Sequence, residues 1–192
     1  MIVVRAKRDF GGLAVWLSAA ALAVMIGGTA WAAPVGNVPH SFGPATKQFL
    51  AAQTGEPPGS IIISTAGRTL DLVVSSGEIA RYSIGVARNG FAWSGTVRIG
   101  RKVEWPQWRP PAEMLQRDPS LPVMMPGGPF NPLGARALYL FDGDRDTLYR
   151  IHGTNEVGSI GGFVSSGCFR MTNADVLDLY RRVSVGAKVI VK

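Results

Sequence analysis

Between Ser60 and Val103 the chain alternates short β-branched runs with tight turns, and this pattern constrains the fold more than any other feature. Ile61-Ile62-Ile63 opens the series, and Thr69 to Val74 follows. Ser75-Ser76-Gly77 supplies a hairpin turn before Glu78 to Val86, where Ile79, Tyr82, Ile84 and Val86 are the apolar positions. Thr96 to Val103 alternates Val97, Ile99 and, past Gly100, Val103, with Arg98 and Arg101 between them. Side chains of a strand point alternately to its two faces, so such runs can each bury one side only by pairing. The expectation is a β-meander. With 24 glycines and 13 prolines the chain is also rich in turn formers, which favours a β-rich domain over a helical one.

Strand signals return at Arg136 to Phe141 and at Thr147 to His152, with Asp142-Gly143-Asp144 as the turn between them. One segment reads as a helix. Thr172 is its N-cap, and Asp175 completes an acidic capping box. Val176, Leu177, Leu179, Tyr180 and Val183 share a face, and Arg181 and Arg182 suit the C-terminal end of the dipole. Val185-Gly186 then turns the chain into a last strand over Lys188 to Lys192. Glu104 to Gly134 breaks the pattern. It holds eight of the 13 prolines together with Trp105, Trp108, Met114, Met124 and Met125. A long irregular segment carrying large apolar side chains reads as a lid or binding loop.

The N-terminus reads as an export signal over residues 1–33. Arg5, Lys7 and Arg8 form a basic start, Leu13 to Ile26 is densely apolar, and Ala30-Trp31-Ala32 gives a small-x-small cleavage pattern. An uncleaved membrane anchor is the alternative. Residues 34–59 hold five prolines and read as a tether, with one or two helical turns at Lys47 to Gln53; a folded domain is expected over 60–192. The net charge is +7, and +5 without the signal. For an exported domain this excludes nucleic acid as the natural partner and suits an anionic wall polymer or membrane surface.

Cys168 is the single cysteine, and it follows His152 by 16 positions. Being single, it has no internal disulfide partner, and an odd cysteine in an oxidising compartment is a liability unless it is buried or used. It sits in the small-residue turn Ser165-Ser166-Gly167-Cys168, about one helical turn before the helix; His152 ends a strand. A thiol needs a neighbouring base to become a strong nucleophile, and an imidazole can take its proton and return it to a departing amine. Backbone N–H groups around Gly167 and Cys168 can stabilise a thiolate and the oxyanion of a tetrahedral intermediate. The chemistry expected of such a pair is acyl transfer through a thioester.

His152-Gly153-Thr154-Asn155, a glycine-rich spacer, and Ser165-Ser166-Gly167-Cys168-Phe169-Arg170-Met171 together resemble the signature of the L,D-transpeptidase catalytic domain, the YkuD-type domain. The resemblance covers Ser60 to Lys192 and takes in Trp-Pro-x-Trp-x-Pro-Pro at Trp105 to Pro111. It implies a mostly β fold, a mixed sheet or sandwich of about six to eight strands with one main helix after the cysteine loop. His152 would be the base, Gly153 would orient it through its carbonyl, and Cys168 would be the nucleophile. Ser166, Gly167 and Arg170 would contact substrate or the oxyanion, Arg170 either binding a substrate carboxylate or bracing the loop. Many members carry a second histidine where this chain has Ser166.

The resemblance further implies action on peptidoglycan stem peptides in the periplasm or cell wall, acylation by carbapenems, and no metal or organic cofactor. The acceptor would be a second stem, a protein lysine, a free D-amino acid, or water, the last making the protein an L,D-carboxypeptidase. Sortase-like and papain-like arrangements fit less well, because Arg170 lies too close to Cys168 for the first and the order His before Cys excludes the second. A wall-binding or scaffolding domain with a silent site is the non-enzymatic alternative.

Overall fold

The computed structural model describes residues 43–192. The export signal, the first part of the tether and His40 lie outside the described residues. Nine strands form one mixed sheet in the order β1-β4-β3-β2-β11-β6-β7-β8-β10. They are β1 (Gln48–Ala51), β2 (Ile61–Ser64), β3 (Thr69–Ser75), β4 (Glu78–Ser83), β6 (Gly95–Glu104), β7 (Arg136–Asp142), β8 (Arg145–His152), β10 (Phe169–Arg170) and β11 (Lys188–Val191). A second small sheet pairs β5 (Val86–Ala87) with β9 (Phe163–Ser165). The strands outnumber the expectation because several are only two to four residues long and carry no periodic signal of their own.

The meander forms as its alternation predicts. Ile61 and Ile63 face Leu72 and Leu70 across the β2–β3 pair, and all four are buried. Against this face lies α2 (Asn173–Arg182), whose Val176 and Leu179 are fully buried in one core with Leu138, Leu140, Ile151 and Phe169. Each such side chain contributes about 1.5–3 kcal/mol on burial, so the helix is held mainly by this stripe. A shorter helix, α1 (Ala112–Arg117), lies within the 104–134 segment.

Three local expectations change. Residues 47–53 are not helical: Gln48–Ala51 is the edge strand β1, antiparallel to β4, so part of the stretch read as a tether adds to the sheet. The strand expected over Glu78 to Val86 stops at Ser83, because Gly85 leaves it to exchange two backbone hydrogen bonds with Arg170, at 2.8 and 2.9 Å. Thr172 does cap α2, its Oγ1 accepting from Asp175 N–H at 3.1 Å. The Asp175 carboxylate does not close a capping box. It accepts from Thr46 N–H at 3.0 Å and from the Thr46 hydroxyl at 2.7 Å, fastening the approach to β1 onto the helix.

Candidate active site

Parallel pairing of β8 with β10 sets Ile151 opposite Phe169 and His152 opposite Arg170. Ile151 and Phe169 both point into the core with no exposure. Strand alternation therefore turns Arg150, His152 and Arg170 to the other face, and Cys168, one residue ahead of β10, falls beside Arg150 on that face. The sequence placed His152 and Cys168 at the ends of two elements; the register brings those ends together.

His152 is buried, and its Nδ1 lies 2.6 Å from the carbonyl oxygen of Gly153. A carbonyl can only accept, so Nδ1 carries the proton and Nε2 offers its lone pair. Burial pulls the imidazole down to about 4; the Gly153 carbonyl opposes this, and the charges of Arg170 and Arg150 add to it. Burial likewise pushes the Cys168 thiol up, against the Arg150 N–H and the charges of Arg150 and Arg170. Both shifts favour an uncharged thiol and an uncharged imidazole at neutral pH.

The cysteine turn is braced from within and from the side. Ser165 Oγ donates to Cys168 O at 2.6 Å and accepts from Gly167 N–H at 3.2 Å. Gly167 has φ +118°, and a Cβ there would fall 2.2 Å from the Tyr149 ring. That ring stacks on Trp93 with centroids 4.7 Å apart, and Trp93 Nε1 donates to Gly167 O at 2.9 Å. Gly167 thus permits the turn, and its N–H donates to Ser165 Oγ. Ser166 is exposed. Arg170 donates to Glu156 at 2.8 Å.

Cys168 opens on a cavity of about 660 Å³ whose wall includes Trp108, Pro111, Leu133 and Leu148. The 104–134 segment forms one side of it, and of the large side chains singled out in the sequence Trp108 lines the cavity. It is an ordered cover: Trp108 and Met125 exchange hydrogen bonds at 2.9 Å, and buried Asn131 donates to the carbonyls of Pro106 and Pro126.

Two buried asparagines escaped sequence reasoning. Asn131 is one. Asn173 accepts from Ala135 N–H at 2.8 Å and donates to Thr154 O at 3.1 Å, which ties the entry of β7 and the loop after His152 to the start of α2. A Cβ on Gly153 would lie 2.1 Å from Asn173 Oδ1, so the motif glycine is needed for this approach. An asparagine directly after an N-cap, where helix propensity gives no reason for it, was the available signal.

Comparison with known proteins agrees with this geometry. The family model of the L,D-transpeptidase catalytic domain, YkuD, matches residues 58–191. The probable L,D-transpeptidase ErfK/SrfK of Escherichia coli (strain K12) is 38% identical over 122 residues, 59% of this chain and 37% of that protein. The chain thus matches little more than a third of that relative's length. A Brucella melitensis structure described as a probable carnitine operon oxidoreductase is 46% identical, with TM-score 0.52, covering 76% of this chain and 92% of that one. The description is that protein's own; what the two share is sequence and fold. The catalytic domain of the Enterococcus faecium L,D-transpeptidase acylated by ertapenem is 15% identical, with TM-score 0.52, over 71% of this chain and 98% of that domain, a likeness of fold. The mostly β architecture, its one main helix and the match over residues 58–191 make this chain a member of the L,D-transpeptidase catalytic domain family, whose enzymes are acyltransferases.

Proposed function

We propose that this protein is an exported peptidoglycan L,D-transpeptidase with Cys168 as nucleophile and His152 as base. Cys168 Sγ attacks the carbonyl of the third residue of a tetrapeptide stem while His152 Nε2 takes the thiol proton. The oxyanion is received by the cysteine turn. Because Ser165 holds the Gly167 N–H, the Cys168 N–H is the donor assigned to it. Collapse breaks the C–N bond, the imidazolium protonates the departing D-alanine amine, and a thioester remains. An acceptor amine then attacks the thioester and gives its proton to His152, which passes it to the departing Cys168 sulfur, leaving a 3→3 cross-link and the starting thiol and imidazole.

Gly153 acts through its carbonyl, which fixes the tautomer and ring plane of His152 as a carboxylate would. Arg170 braces the loop through Glu156. Residues 1–33 would direct the domain to the periplasm or cell wall, cleaved or retained as a membrane tether.

One observation carries the reading: the imidazole, with Nδ1 tied down, shares a sheet face and neighbouring strand ends with a thiol that opens into a large cavity. The test is intact-mass analysis after exposure to ertapenem. A one-to-one adduct on the wild type and none on Cys168→Ser is expected. Conversion of purified tetrapeptide muropeptides to 3→3 dimers with loss of D-alanine identifies a stem as acceptor. Loss of D-alanine without dimers identifies water. Stems bound but never altered would mark a silent scaffold.

A further inference from the structure

Three arginines, Arg101, Arg109 and Arg150, line the cavity that opens on Cys168, and among the described residues no acidic side chain does. They are not equivalent. Arg150 is neutralised by Asp146, to which it donates at 2.7 and 3.0 Å. Among the described residues neither Arg101 nor Arg109 makes a direct ion pair, though the charge of Arg101 acts on Asp146, and both are exposed. Arg109 lies within reach of an uncharged neighbour, Gln107, whose amide oxygen in its hydrogen-bonded orientation accepts from Nη2 and Nε at 3.1 and 3.2 Å.

Arg101 is held in place by the fold. Registers across β6, β7 and β8 align Arg101, Tyr139 and Arg150 in one row. The guanidinium of Arg101 lies 4.1 Å from the Tyr139 ring centroid, and that of Arg150 lies 3.9 Å from it. Strict alternation would send Arg101 to the same side as Ile99, which is fully buried in the core. The register between β6 and β7 slips between those two residues. The slip needs Gly100, whose Cβ would lie 2.3 Å from the Phe141 ring. Past it Arg101 and Val103 face the cavity, while Lys102 faces the helix and donates to Tyr180 O and Val183 O.

We propose that Arg101, fixed on Tyr139, and Arg109, carried by the cover segment, form a two-sided receptor for a free carboxylate of the peptide that acylates Cys168. The inference rests on the acyl-transfer reading and moves carboxylate recognition from Arg170, which pairs with Glu156, to two arginines that line the cavity. A planar guanidinium stacked on a ring keeps its fork open for a bidentate carboxylate, with little side-chain entropy left to lose. A tetrapeptide stem offers two such groups: its C-terminal carboxylate and a side-chain carboxylate on the third residue.

The experiment compares three synthetic tetrapeptide stems: both carboxylates free, the C-terminus amidated, and the third-residue side chain amidated. For the wild type, one of the two amides is expected to raise KM about 10- to 100-fold with kcat little changed, and which amide does so identifies the carboxylate. Arg101→Gln should raise KM for the free acid to the level of that amide and lose the discrimination. Arg101→Lys should keep part of it. Equal KM for all three stems on the wild type, or unchanged discrimination in a folded Arg101→Gln, overturns the proposal. Calorimetric binding of the same stems to Cys168→Ala reads the receptor without turnover. Discrimination there with an inert wild type would refute the acyl-transfer reading and leave the receptor standing.

Discussion

His152 Nδ1 lies 2.6 Å from the carbonyl oxygen of the next residue, Gly153, so the backbone does for this imidazole what a carboxylate does in a serine protease. A carbonyl carries no full charge. It selects the tautomer without pulling a proton onto the ring, and burial then keeps the ring neutral down to about pH 4.

The thiol should be sluggish in the free enzyme. With Cys168 raised by burial and no imidazolium beside it at neutral pH, its alkylation by iodoacetamide should follow a pH profile lying above that of an ordinary thiol. His152→Ala should slow acylation by ertapenem by about 100-fold or more at pH 7. A profile with a plateau near pH 5 would mean a preformed ion pair and would contradict this account.

Stability should fall as pH drops from about 6.5 to 4. The unfolded histidine takes up a proton near 6.5 and the folded one near 4, so across that window the unfolded state binds more protons. The contribution is complete above 6.5 and shrinks by up to about 3 kcal/mol as pH approaches 4. Urea denaturation of wild type and His152→Gln at pH 7 and pH 4.5 measures it: the wild type should lose more between the two pH values.

Gly167→Ala should disable the site. The new methyl would meet the Tyr149 ring at a backbone angle of φ +118°, at a cost of about 1–3 kcal/mol or more. A melting temperature lowered by several degrees, with the ertapenem adduct lost, is expected. Trp93→Phe, which removes the 2.9 Å bond to Gly167 O and trims the ring stacked on Tyr149, should slow acylation with a smaller loss of stability.

Asn173→Ala leaves the Ala135 N–H and the Thr154 carbonyl without this partner in the interior, costing about 2–4 kcal/mol. Asn173→Asp restores the acceptor but not the donor, so it should recover part of the loss. Urea midpoints of the three proteins give the comparison. Equal stability of all three would remove Asn173 from the account of how the His152 loop is held.

If Arg170 braces the loop, its effect should pass through Glu156. Arg170→Gln, Glu156→Gln and the double variant should slow ertapenem acylation by similar factors, with strong non-additivity. KM for a stem with both carboxylates free should stay level. An Arg170→Gln effect confined to KM and independent of Glu156 would restore its role as a substrate ligand.

Much of this protein is written locally. β-branched alternation gave the meander, Thr172 and the apolar stripe of Val176, Leu179 and Val183 gave α2, and the Gly167 turn placed Cys168 just ahead of it. These signals depend on neighbours a few residues apart, so the sequence alone determined them. Tertiary structure decided what lies opposite what. Gln48–Ala51 became a strand because β4 offered an open edge, Asp175 was drawn from its cap by Thr46, and Arg170 was taken by Glu156. The register slip at Gly100 set which face Arg101 takes. Partners so far apart in the chain are chosen by strand register and by which buried polar group must be satisfied, and neither leaves a periodic trace in the residues themselves.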